Sequence, residues 1–130
     1  MTVATTCIIN STSTLDFGSP GMLNGNVDSS SNLAVQCTNS TPYNIGLDAG
    51  QNGGGDVNTR KIVNGSNTIS YSLYSDTTRS AVWGNTVGTN TVAATGNGAS
   101  QSYIVYGRVP PQTTPVPGAY SDTITVVVTY

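Results

Sequence analysis

The run Ala119–Tyr130, AYSDTITVVVTY, constrains the fold more than any other part of the chain. Asp122, Thr123, Thr125 and Thr129 are polar, and Ile124, Val126, Val128 and Tyr130 alternate with them. A period of two is that of a strand with one buried face. The run is rich in β-branched residues, which suit a pleated, half-buried surface. A strand this apolar needs a neighbour on each side. No residue follows to supply the second, so the partner is expected from earlier in the chain or from another molecule.

The rest of the chain reads in the same way. No apolar stripe at i, i+3, i+4, i+7 argues for a helix, and strong helix formers are scarce. Short alternating runs are separated by Gly, Asn, Ser and Pro, the pattern of an all-β sandwich or barrel. The first strand is expected at Thr5–Asn10, with Cys7 and Ile9 on one face and a continuation at Leu15–Phe17. Met22–Ser31 reads as polar and turn-rich. A second strand, Asn32–Thr38, turns Leu33, Val35 and Cys37 inward. A third, Tyr43–Ala49, does so with Tyr43, Ile45, Leu47 and Ala49. Arg60–Asn64 reads as an edge piece ended by the Asn64-Gly65 turn signal.

Thr68–Ser75 then reads as one strand with Ile69, Tyr71 and Leu73 inside. Asn85–Ser100 is rich in Gly, Thr, Asn and Ala and reads as a loop or a weakly patterned hairpin without a clear place. Ser102–Val109 is a strand, and Pro110–Gly118 (PPQTTPVPG) is a crossing loop that cannot donate regular ladder bonds. The expected total is about six main strands with fragments, in a single domain over residues 1–130.

Composition excludes several functions. Only 8% of residues are charged and the net charge is −2. Arg60, Lys61, Arg79 and Arg108 are the only basic side chains. They make no footprint for nucleic acid. There is no His to act as a base near neutral pH, and the Ser and Cys side chains lack an evident base partner. An enzyme is not expected. Asp48, Asn52, Gly53–Gly55 and Asp56 loosely resemble a calcium turn, but calcium takes six to eight oxygens and carboxylates are few here. A plain connecting loop is expected, with no metal and no cofactor. No apolar run of membrane-spanning length occurs, so no membrane insertion is expected. Met1–Thr6 has neither the basic start nor the apolar run of a signal peptide, so the chain reads as a mature form.

Cys7 and Cys37 are the only cysteines. Both sit on alternating apolar segments, which favours a disulfide and an oxidising compartment; two buried free thiols are the alternative.

Several runs together resemble a known family. Cys7 is followed by Leu15-Asp16-Phe17-Gly18. Cys37-Thr38, Pro42-Tyr43 and Leu47-Asp48-Ala49-Gly50 stand in order. Ser70-Tyr71-Ser72-Leu73-Tyr74-Ser75-Asp76 and Trp83-Gly84 come next. The end carries Tyr106-Gly107-Arg108-Val109 and Gly118-Ala119-Tyr120-Ser121-Asp122-Thr123-Ile124-Thr125-Val126. The chain resembles the spore coat protein U domain family, which includes pilin subunits of archaic (Csu-type) chaperone–usher pili. The resemblance implies an incomplete immunoglobulin-like sandwich that lacks its last strand. A periplasmic chaperone first lends a strand, and a neighbouring pilin subunit replaces it through an outer-membrane usher, a form of β-augmentation. The implied location is an extracellular fibre on the bacterial surface, reached through the periplasm, with a role in adhesion and biofilm formation.

On that reading the acceptor groove is expected to be faced by Ile124, Val126, Val128 and Tyr130, with Cys7 and Ile9 on the opposite rim. About four donor side chains, at about 1.5–3 kcal/mol each, would contribute about 6–12 kcal/mol before ordering costs. Met1–Thr6 is too short to fill such a groove in turn, which points to an acceptor without a donor segment, as in a trimmed subunit or a fibre tip. A second class, an adhesive or lectin-like tip domain, rests on exposed apolar loop tips. Met22, Leu23 and Ala81–Trp83 are the candidates, with Tyr74 and Tyr106 as further exposed aromatics. A spore-coat structural protein is a third.

Overall fold

A computed structural model describes residues 1–130. Nine strands and no helix form in chain order: β1 Cys7–Thr12, β2 Val27–Cys37, β3 Pro42–Leu47, β4 Lys61–Asn64, β5 Asn67–Ser70, β6 Ser72–Tyr74, β7 Val92–Thr95, β8 Ser100–Val109 and β9 Val126–Thr129. One sheet has the order β1-β2-β8-β6 and a second the order β7-β3-β9. The hairpin β4-β5 stands apart. Every pairing is antiparallel.

The period-two pattern explains which side chains meet. β2 turns Leu33, Val35 and Cys37 inward, β8 turns Val105 and Val109, and β6 turns Leu73. They meet Tyr43, Ile45 and Leu47 of β3, and all are buried. The outer face of the first sheet is polar. There Asp28 and Arg108 stand opposite each other on β2 and β8 and make a two-pronged ion pair at 2.7 and 3.1 Å. Arg79 covers the Tyr106 ring at 5.5 Å and donates to Gly107 O and Ser29 O, both at 3.2 Å. Cys7 and Cys37 are cross-strand partners and form a disulfide that ties β1 to β2.

Four expectations are corrected here. Thr68–Ser75 is two strands: the Tyr71 amide still bonds Arg60 O at 3.1 Å, in register with the β4–β5 hairpin, and the chain changes partner at Ser72. β5 then pairs with β4 and β6 with β8. The supposed loop before Asn32 is already strand from Val27, since its Asp and Ser residues find ladder partners all along β8. Tertiary pairing overrides their weak strand propensity. Asn85–Ser100 contains β7, an edge strand on β3, and the start of β8. The terminal run is strand only over Val126–Thr129; its earlier part holds a single bridge, Ser121 to Val63.

Candidate functional site

β9 has a ladder partner on one flank only. Its residues pair with Asn44–Leu47 of β3. The Asp48 amide donates to Thr125 O at 3.1 Å, which sets the alternation. The peptide groups of Thr125, Val127 and Thr129 therefore face β3, and those of Val126 and Val128 face the flank where no strand lies. β1 is likewise an edge strand, bonded to β2 alone. β1 and β9 come within 8 Å of each other between Cα atoms, without forming a ladder. A strand paired on both sides needs about 9.5 Å between its neighbours, so the two edges nearly close there.

Beyond that point the edges part. Ser13 stays attached to β2 through its amide to Asn32 O at 2.9 Å. The chain then runs on beside β2, held by Ser29 Oγ donating to Asp16 O at 2.6 Å. Leu15 and Phe17 lie over the bare backbone of Gly107 on β8, where any Cβ would stand 2.9–3.0 Å from them. Phe17 meets Tyr71 edge-on, with ring centroids 6.1 Å apart. The facing wall is Thr114–Ile124. Gln112 and Thr114 anchor it, Gln112 to Ser70 and Leu23 and Thr114 to the Leu23 amide, all at 2.9 Å.

Between these walls lies a cavity of about 1000 Å³, floored by Leu33, Leu73, Val105 and Val109. Protein interiors tolerate few voids larger than a water, and an engineered apolar cavity of about 150 Å³ is already unusual.

The expected site residues divide. Ile124 and Val126 line the cavity. Cys7 and Val128 are half-buried against the core but stand outside it. Ile9 is 42% exposed and Tyr130 58%, and neither reaches the cavity. Two of the six expected residues thus line the cavity, and Leu15, Phe17, Leu23 and Tyr120 line it as well. Leu15 and Phe17 lie in the expected continuation of the first strand and Tyr120 in the terminal run, while Leu23 lies in the segment read as turn-rich. The signal for Leu15 and Phe17 in the sequence was the Leu15-Asp16-Phe17 alternation, which continues the apolar face past β1.

The surface-binding candidates are corrected as well. Trp83 is 1% exposed, and its indole N–H donates to Ile45 O at 2.8 Å inside the core. Leu23 is buried in the cavity floor. Of the three, only Met22, 70% exposed, is on the surface. Tyr74 and Tyr106 are half-buried cross-strand neighbours.

Behind the Thr114–Ile124 wall sits a polar cluster that sequence reasoning missed. Arg60 is wholly buried. Its guanidinium donates to Leu47 O, Asp48 O and Trp83 O at 2.7–3.0 Å. Burial works against its charge, and Tyr71, Asp48 and Asp122 nearby partly offset that. Tyr71 donates its hydroxyl to Asp122 at 2.6 Å. Burial, followed by that bond to a carboxylate, raises the Tyr71 pKa far above the usual phenol range.

Residues 1–127 match the family model of the Spore Coat Protein U domain. The chain belongs to that family. It is 36% identical over 104 residues to Protein U of Myxococcus xanthus, covering 75% of this chain and 58% of that protein. The fold is also that of a chain in the crystal structure of the CsuC–CsuE chaperone–tip adhesion subunit pre-assembly complex from archaic chaperone–usher Csu pili of Acinetobacter baumannii. The TM-score is 0.69 at 23% identity, over 99% of this chain and 40% of that one. This Spore Coat Protein U domain thus spans little more than half of one relative and less than half of the other. The two comparisons agree with the open sheets: the domain is an all-β, incomplete immunoglobulin-like sandwich.

Proposed function

We propose that the domain is a structural, pilin-like subunit of a surface fibre, and that its groove accepts a β-strand from another polypeptide. The single observation behind this is the cavity of about 1000 Å³ beside the unpaired flank of Val126. A strand laid there gains main-chain bonds from that flank and buries alternate side chains on the Leu33–Val105 floor, as in strand addition generally. Its first seat is the gaping end between Leu15 and Ile124, because β1 and β9 nearly meet elsewhere. The donors are a periplasmic chaperone before assembly and a neighbouring subunit afterwards, with an outer-membrane usher between. Adhesion and biofilm formation follow from the fibre.

The family's name keeps a second reading, a spore-coat component, which would use the same groove. The lectin-like reading loses Leu23 and Trp83 to the core.

The test is a synthetic peptide of about ten residues, alternating Val and Thr and ended with Lys, added to the purified domain. At a hundred times its Kd, binding contributes about 2.7 kcal/mol. At about 3–4 °C per kcal/mol for a chain of this length, the melting temperature rises by about 8–11 °C. A scrambled peptide leaves it unchanged. No shift at saturating alternating peptide refutes the proposal.

A further inference from the structure

We propose that Arg60, Asp48, Tyr71 and Asp122 act as positioning residues for the groove, holding the Ser121–Thr125 wall in its strand-accepting shape before any strand arrives. The inference rests on reading the groove as a strand acceptor.

The wall has almost no sheet of its own. Only the bridge between Ser121 and Val63, with backbone bonds of 2.9 and 3.1 Å, belongs to a ladder. The cluster supplies the rest. One Asp122 oxygen accepts from the Gln51 and Thr123 amides and the Asn52 side chain at 2.9–3.0 Å. The other accepts from Tyr71. Asp48 accepts from the Gly50 and Thr125 amides, both at 3.0 Å, while its own amide holds Thr125 O. Ile124, clamped between Thr123 and Thr125, is left to line the cavity.

Arg60 locks the far side of this cluster. It clasps Leu47 and Asp48 at the end of β3 and Trp83 in the connection between β6 and β7. No carboxylate forms a salt bridge with it, and one of its terminal nitrogens has no partner. Burying a cation without a carboxylate partner is costly, and here the guanidinium's bonds fix Leu47, Asp48 and Trp83 about one point. The fit is close: Gly50 has φ +73, and a Cβ there would collide with the Asp122 carboxylate. The wall is thus ordered at the expense of the fold, not of the incoming strand. Pre-organisation of this kind raises affinity by lowering the ordering cost of binding.

The test compares Asp122→Ala, Asp122→Asn and Tyr71→Phe, with Asp28→Asn on the opposite sheet's outer face as control. Two readouts are taken below the melting transition: affinity for the alternating Val/Thr peptide, and hydrogen exchange at the Thr125 and Val127 amides against Val35 and Val105. If the wall is formed in about one Asp122→Ala molecule in ten, the apparent Kd rises about tenfold. Exchange at Thr125 and Val127 then accelerates while Val35 and Val105 stay protected. Asp122→Asn, which keeps one acceptor oxygen, returns both readouts to within about threefold of the parent. Tyr71→Phe falls between, and Asp28→Asn changes neither.

Wild-type protection of Thr125 and Val127 in Asp122→Ala overturns the inference. So does acceleration spread equally over all four amides, which would mean loss of global stability only. A parent domain that binds no peptide refutes the acceptor reading instead, and the exchange pattern still decides the role of the cluster.

Discussion

Replacing both Cys7 and Cys37 by Ser removes the bridge between β1 and its only ladder partner. The bridged residues are 30 apart in sequence. In the chain-entropy model, releasing a loop of that length costs about 3.6 kcal/mol. At about 3–4 °C per kcal/mol, the melting temperature falls by about 11–14 °C. In urea, with a slope of about 1–3 kcal/mol per molar, the midpoint falls by about 1.2–3.6 M. Trp83, the sole tryptophan and fully buried, reports the transition by fluorescence. The native edge should loosen too. Ile8 and Ile9 are largely exposed and the β1–β2 register shifts between Ile9 and Ser11, so little packing holds that end of β1. Amides of Ile8 and Ile9 should therefore exchange faster than those of β8. A loss below about 1 kcal/mol, or unchanged protection at β1, would refute this account of the bridge.

Trp83→Phe leaves the buried Ile45 carbonyl without its 2.8 Å donor, and urea unfolding should report a loss of about 1–3 kcal/mol. Arg60→Met strands the carbonyls of Leu47, Asp48 and Trp83, and a loss of about 3–5 kcal/mol is expected by the same measurement. The acid limb should involve Asp28, whose pKa is held below 3.8 chiefly by the Arg108 hydrogen bond and further by the Arg79 charge. Its stabilisation is fully present above that pH and is lost as pH falls through the lowered value. Asp28→Asn should flatten this limb in melts taken across the acid range. The alkaline limb has the opposite sign. Burial, followed by bonds to Tyr103 and Asp122, raises Tyr43 and Tyr71 respectively above the ordinary 10.0. Their stabilisation is complete below about pH 10 and drains away above it, which Tyr43→Phe should blunt in alkaline melts.

Much of this architecture was legible in the residues themselves. Alternation over Leu33-Val35-Cys37 and Tyr43-Ile45-Leu47 named the inward faces that the structure buries. The Asn64-Gly65 signal sits at the turn of the β4–β5 hairpin. The two cysteines are joined, and the terminal apolar run is half-paired. These succeed because a period of two is local: one residue's face follows from its neighbour's, whatever lies across from it.

What alternation cannot specify is where a strand stops, which sheet it joins, and what fills the space between sheets. Thr68–Ser75 keeps its inward side chains yet splits between two sheets, because its residues as far as Tyr71 bond the β4 side and Ser72–Tyr74 pair with β8, partners that lie outside that run. The groove is lined by Leu15, Phe17, Leu23 and Tyr120 because the sandwich gapes there, a property of how two twisted sheets meet at their edges. Arg60 illustrates the limit most sharply. Nothing local marks it for the interior; it is buried only because carbonyls from Leu47, Asp48 and Trp83 converge on one point, and that convergence exists only once the chain has folded.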